Sequence, residues 1–174
     1  TDVSSNADTN DPRFTLANMT NQSGISQSFI SGQTDFESFV STAVTNVSST
    51  SQEGVSFLSA TFGAPFILDF RFENALLLSR LALFNDIDSQ GLGAFQVFSA
   101  NDSTFNVLTS LGSFTATTNS IGSFSQVFDF TDTTTQFIRI VGDQINATNT
   151  RLQINEIVFE GSLVDEVPEP SVFT

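Results

Sequence analysis

The stretch FILDFRFE, residues 66–73, alternates strictly. Phe66, Leu68, Phe70 and Phe72 fall on one side, and Asp69, Arg71 and Glu73 on the other. Period two suits a strand with one buried and one wet face; a helix, with about 3.6 residues per turn, scatters such a pattern around its circumference. Related segments recur to the end of the chain: LLLSRLALFN (76–85), FQVFSA (95–100), FNVLTSLGSFTA (105–116), FSQVFDF (124–130), QFIRIV (136–141) and LQINEIVFEG (152–161). Turn-rich stretches separate them at 86–93, 101–103, 117–122, 131–135 and 142–150. LLLSRLAL has a composition a helix would accept, but it lacks a cap and lies between strand patterns, so a strand is predicted there and no helix anywhere. Short strands at this spacing predict an all-β fold, an antiparallel β-sandwich or jelly roll of about eight strands. Upstream, residues 1–12 read as a polar arm, 13–20 (RFTLANMT) as a short strand with Phe14 and Leu16 on one face, and 41–53 as a Ser/Thr-rich loop or irregular edge.

The chain has 174 residues, enough for one domain with a real core. Its aromatic residues are 20 Phe with no Trp and no Tyr, so the core is expected to be dry: Phe brings apolar area without a polar handle. Nineteen acids against five arginines, with no lysine, give a net charge of −14. That charge repels phosphate backbones and anionic lipid surfaces, so neither nucleic acid nor a membrane surface is an expected partner. No run is long and apolar enough to cross a bilayer, and no membrane insertion is expected. Thr1 reads as the residue left after a signal peptide is removed. The absence of cysteine excludes disulfides, and the absence of lysine excludes Lys–Asn isopeptide crosslinks.

The same inventory argues against catalysis. Without His, Cys, Lys or Tyr the usual bases and nucleophiles are missing, and neither a Ser-His-Asp triad nor a Cys/His zinc site can be built. A carboxylate pair could still serve acid–base chemistry, but nothing marks Asp86 and Asp88 as one, and no enzyme is expected.

The ordered series SGQTDF (31–36), APFILDFRF (64–72), LSRLALFN (78–85), FQVFSANDSTF (95–105), LGSFTAT (111–117), QVFDFTDTTTQFIRIV (126–141) and INEIVFEG (154–161) resembles the discoidin-like domains of bacterial PEP-CTERM proteins. These are relatives of the coagulation factor five/eight type C domain and of the galactose-binding-like jelly roll. Val167, Pro168, Glu169, Pro170 and Ser171 resemble the VPEPS that opens a PEP-CTERM sorting signal. The resemblance implies three parts: an arm over 1–25, a discoidin-like sandwich over 26–162 and a tail over 163–174. It also implies an exported protein, at the cell surface or in the extracellular matrix.

Calcium is the metal that fits such a chain, because it takes hard oxygen ligands. By resemblance, a structural calcium ion would be held by Asp35 and Glu156, with backbone carbonyls at Gly32 and Phe36. The segment Asn85–Gly91 has the D-x-D-x-x-G opening of an EF-hand loop, but the twelfth position is Val97 instead of an acid, so a solvated turn is the better reading. In sugar-binding relatives, loops at one end carry the ligand, and Asp86, Asp88 and Gln90 would contribute there, with Phe as the one aromatic available to stack on a sugar. Five N-x-S/T sequons offer glycosylation positions at Asn18, Asn21, Asn46, Asn101 and Asn146.

Two functions follow. The first expectation is a non-enzymatic structural subunit that assembles with itself into a surface filament, layer or biofilm matrix, its polar arm and Pro-containing tail docked on neighbouring subunits. The alternative is a calcium-supported carbohydrate-binding module that retains exopolysaccharide.

Overall fold

A computed structural model describes residues 1–8, 11–31, 33–46, 55–60, 65–86, 90–118, 125–145 and 151–164. Seven strands are present among them: β1 (Asp2–Ser5), β2 (Phe57–Leu58), β3 (Phe66–Asn85), β4 (Leu92–Ala100), β5 (Leu108–Thr115), β6 (Gln126–Gln144) and β7 (Gln153–Leu163). All pairings are antiparallel, in the order β2-β7-β3-β6-β4-β5, with β1 on the free edge of β3. The all-β antiparallel expectation holds.

The strand boundaries differ from the sequence reading in an instructive way. FILDFRFE and LLLSRLALFN form one strand of 20 residues, and QVFDF and QFIRIV lie in one of 19. Each serves both layers of the sandwich. The first half of β3 (66–71) pairs with β1 and with the second half of β6, whereas its second half (76–85) pairs with β7 and the first half of β6. Between the halves the register jumps from Arg71↔Phe137 to Leu76↔Thr135, so residues 72–75 on β3 face Gln136 alone. Extra residues on one strand bend it. The Gln136 side chain donates to the carbonyl of Glu73 (3.1 Å), and the Thr135 hydroxyl donates to the carbonyl of Ala100 (3.2 Å). The turn expected over 131–135 is therefore strand up to a bulge.

The fold-over can be read from ring distances. Phe95 pairs with Gly142 on β6, yet its ring lies 5.0 Å from that of Phe128 on the same strand. A straight strand rising about 3.3 Å per residue would hold Phe128 and Gly142 roughly 45 Å apart. The two halves therefore face each other, and the Phe-rich core fills the space between. Phe66, Leu68 and Phe70 are buried there, with Leu78, Leu81, Leu83, Val97, Ile138 and Ile140. Each large apolar side chain so buried contributes about 1.5–3 kcal/mol.

A second, smaller core lies outside the sandwich. Ala82, Phe84 and Val158 point away from the main core and are covered by Ile25, Phe29, Phe36, Phe39 and Ala43. The cover is a short helix, α1 (Phe36–Thr42), which corrects the expectation of no helix. Phe36, Phe39 and Ala43 repeat at helical spacing, and Asp35 caps the first turn by accepting from the Ser38 amide (2.8 Å). A 3-10 turn (Leu16–Met19) stands where a short strand was expected. Phe105 covers part of the opposite outer face. Its ring lies 5.3 Å from the guanidinium of Arg71 and 4.8 Å from that of Arg139.

The N-terminal residues do not extend outward. Val3 pairs with Phe70 and Ser5 with Leu68, and the Asn6 side chain bonds to both Pro65 and Ile67. Residues 2–5 therefore complete their own sheet.

Candidate functional site

Glu156 sits on β7 with its side chain turned away from solvent; its exposure is 0%. Neither carboxylate oxygen has a hydrogen-bond partner. Burial pushes its pKa up to about 9, opposed weakly by the nearby backbone amide of Gln22. The carboxylate lines a pocket of about 200 Å³ whose other walls include Thr20, Gln22, Phe29, Ser31 and Phe72. Gln22 holds the left-handed conformation (φ 63°), and its side chain ties the loop shut by accepting from the Phe29 amide (2.6 Å) and donating to the Phe29 carbonyl (2.9 Å). A buried, unpartnered carboxylate costs several kcal/mol if ionised, so it either keeps its proton or meets a cation.

The other expected calcium ligands are arranged differently. Asp35 is exposed, caps α1 and lines a separate groove of about 340 Å³ with Thr34, Leu77, Asp132 and Glu160. Its pKa is lowered by the hydrogen bonds from Ser38. Phe36 buries its ring in the outer core, where Arg80 lies 4.6 Å over it. Gly32 lies outside the described residues. Among the described residues, no three Asp or Glu side chains gather into a metal cluster. A cation beside Glu156 would therefore draw chiefly on neutral oxygens of the loop over 20–31, such as those of Thr20, Gln22 and Ser31. Calcium accepts such ligands.

The second expected site lies where β3 ends. Asp86 is fully buried, so the solvated-turn reading fails at that residue. Its neighbour Asn85, also buried, organises this end of the molecule. The Asn85 amide donates to the carbonyls of Leu92 (2.7 Å) and Thr117 (2.8 Å), and its Oδ1 accepts from the Leu92 amide (2.8 Å). Asn155 donates to the Asn85 carbonyl (2.8 Å). Gln90 accepts from the Gln153 amide through its carbonyl (2.9 Å), and Asp88 lies outside the described residues. The strand registers bring Pro65, Asp86, Ala116, Gln144 and Leu152 to this same end, where several connections emerge together. Asn85 and Asn155 gave no signal as site residues in the sequence; a lone Asn in an apolar strand is an indistinct mark.

The sequons fare unevenly. Asn18 is buried, and its amide donates to the carbonyls of Arg13 and Ser56 (both 3.0 Å), so the folded chain does not present it. Asn21, Asn46 and Asn101 are exposed. Asn146 and the motif Val167, Pro168, Glu169, Pro170 and Ser171 lie outside the described residues. No helix among the described residues is long and apolar enough to cross a membrane.

No family model matches this sequence, and no curated protein matches it. Solved structures do. A module described as CpGH89CBM32-5 from Clostridium perfringens, in complex with GalNAc-β-1,3-galactose, superposes with a TM-score of 0.59 at 5% identity, over 91% of this chain and 94% of its own. A pectin-binding carbohydrate-binding module gives 0.57 at 13% identity, over 91% and 88%. The CBM32 of AlyQ, in complex with 4,5-unsaturated mannuronic acid, gives 0.54 at 16% identity, over 91% and 93%. At such identities the likeness is one of fold: the chain has the galactose-binding-like β-sandwich found in these carbohydrate-binding modules.

Proposed function

We propose that this chain is a non-enzymatic, exported carbohydrate-binding module that retains polysaccharide at the cell surface or in the surrounding matrix. The supporting observation is the extent of the shared architecture: about nine-tenths of the chain aligns with modules whose described ligands are saccharides. Fold alone does not assign function. The residue inventory adds weight, because the chain lacks the side chains of most catalytic centres. Calcium belongs to the same reading. It would sit beside Glu156, held by that carboxylate and by oxygens of the 20–31 loop, and would lock the loop onto β7 without touching the sugar. Saccharides would be taken by surfaces near the end where Asn85 and Asp86 lie.

A self-assembling filament subunit is less well supported. Residues 2–5 fill the edge of their own β3, so that segment is not offered to another copy. Affinity electrophoresis through gels containing soluble polysaccharides tests the proposal. Retardation by at least one polysaccharide, without its depolymerisation, is the expected result. Unretarded migration through all of them, together with regular fibres in negative stain, would overturn it.

A further inference from the structure

Parts of both outer faces of the sandwich are covered. The outer face of the layer containing β7 lies beneath α1 and the segment around Ile25 and Phe29. On the other outer face, Phe105 covers the end of β3 and β6 that carries Arg71 and Arg139. Among the described residues, a groove of about 630 Å³ runs over β4, β5 and the last residues of β6, lined by Pro65, Gln96, Ser113, Thr115, Val141 and Asp143, among others. That volume suits a small ligand or a few sugar rings. Parity along the strands fixes the orientation: Phe95, Val97 and Ile140 point into the core, so Gln96, Val141 and Asp143 point out. Gln96 donates to the Ser113 hydroxyl (3.2 Å), which joins β4 to β5 across the groove floor. The groove thus offers an amide, hydroxyls, a small apolar floor and one charge, the exposed carboxylate of Asp143.

The cations of the molecule decide which saccharides can enter. A sugar carboxylate is recognised most strongly by a cationic side chain: a guanidinium, an ammonium or an imidazolium. This chain has no Lys and no His, and all five arginines lie among the described residues. Arg13 pairs with Asp11 (2.7 Å), and Arg80 with Glu37 and Glu160. Arg139 forks onto Asp69 through Nε (2.6 Å) and Nη2 (2.8 Å). Arg71 donates to Ser4 (3.0 Å) and stacks on Phe105. Arg151 is partnered as well. None of the groove-lining residues is cationic, and the molecule as a whole carries −14. Such a surface attracts cationic ligands and repels anionic ones.

Building on the carbohydrate-binding reading, we propose that the β4–β5–β6 groove takes a glycan that carries amino groups and no carboxylates, with Asp143 facing the ammonium. Uronates, of the kind named for two of the similar modules, are then disfavoured by the absence of a cationic side chain in the groove and by the net charge.

The test is calorimetry with three tetrasaccharides in calcium-containing buffer: the glucosamine oligomer, its N-acetylated counterpart and an oligogalacturonate. The first two share a backbone, so their difference isolates the charge. The glucosamine oligomer is expected to bind most tightly and to weaken as salt is raised. Asp143→Asn should weaken that binding about three- to fivefold, towards the value for the acetylated oligomer, with no shift in melting temperature. Oligogalacturonate binding at equal or greater strength would overturn the proposal, as would a glucosamine affinity that Asp143→Asn leaves unchanged. In either case the carbohydrate-binding reading would stand. Failure of all three, joined by failure of every polysaccharide in the electrophoresis, would overturn that reading and the groove with it.

Discussion

At the scale of single residues, Glu156 carries the sharpest expectation. Its pKa rises from 4.5 to about 9 on folding because burial penalises the charged form. Between those values the native chain holds a proton that the unfolded chain has released. The stability tied to this group is therefore complete below pH 4.5 and is lost as pH rises towards 9. By pH 7 the loss is on the order of 3 kcal/mol if no cation is bound. A divalent cation reverses the sign, because it binds only the ionised carboxylate and so stabilises more as pH rises. In EDTA the melting temperature should fall from pH 5 to pH 8, and millimolar calcium should remove that fall. Glu156→Gln should flatten the pH dependence and end the response to calcium; a wild-type melting curve indifferent to both pH and calcium would contradict this account of the pocket. Phe105 makes a different point. It is buried, it lies between two guanidinium groups, and it holds a positive φ of 55° that bulky residues rarely adopt. The ring contacts must outweigh the backbone strain. Phe105→Ala should therefore cost roughly 3 kcal/mol in urea denaturation, and a change below about 0.5 kcal/mol would mean that the ring does not hold that face.

At the scale of elements, α1 separates two roles for one residue. As a cap, Asp35 stabilises α1, and Asp35→Ala should lower the melting temperature by the same amount whether calcium is present or absent. A drop in calcium affinity in the same variant would instead make Asp35 a ligand, as the family resemblance implied. The helix was partly legible in the sequence. Phe36, Phe39 and Val40 stand at helical spacing directly after a capping Asp, but seven residues amid Ser and Thr give little periodic signal. The strands were much clearer, since β3 keeps period two through Phe66, Leu68 and Phe70. Their continuity was hidden: the bulge over 72–75 and the polar run at 131–135 look like turns in one dimension. They become strand once Gln136 and Thr135 satisfy the backbone across the bend. The candidate site was legible as residue types and not as an assembly. Glu156 could be singled out, but its pocket depends on the Gln22–Phe29 clasp, which only the folded loop creates.

At the scale of the whole molecule, the fold presents one bent sheet closed over a Phe core, with covers on parts of both outer faces and a groove over β4, β5 and β6. No phenylalanine is among the exposed large hydrophobic residues that are described. Phe95 and the half-buried Phe114 line the groove, so an aromatic edge stands beside its amide, hydroxyls and carboxylate. The net charge of −14 discriminates against anionic polymers before any local contact forms. The central claim, that this sandwich binds saccharides, is tested most directly by a glycan array probed with the full chain in calcium. Saturable binding to a related group of glycans, recovered chemically intact, is the expected result. A silent array from a chain with a cooperative melting transition would contradict it.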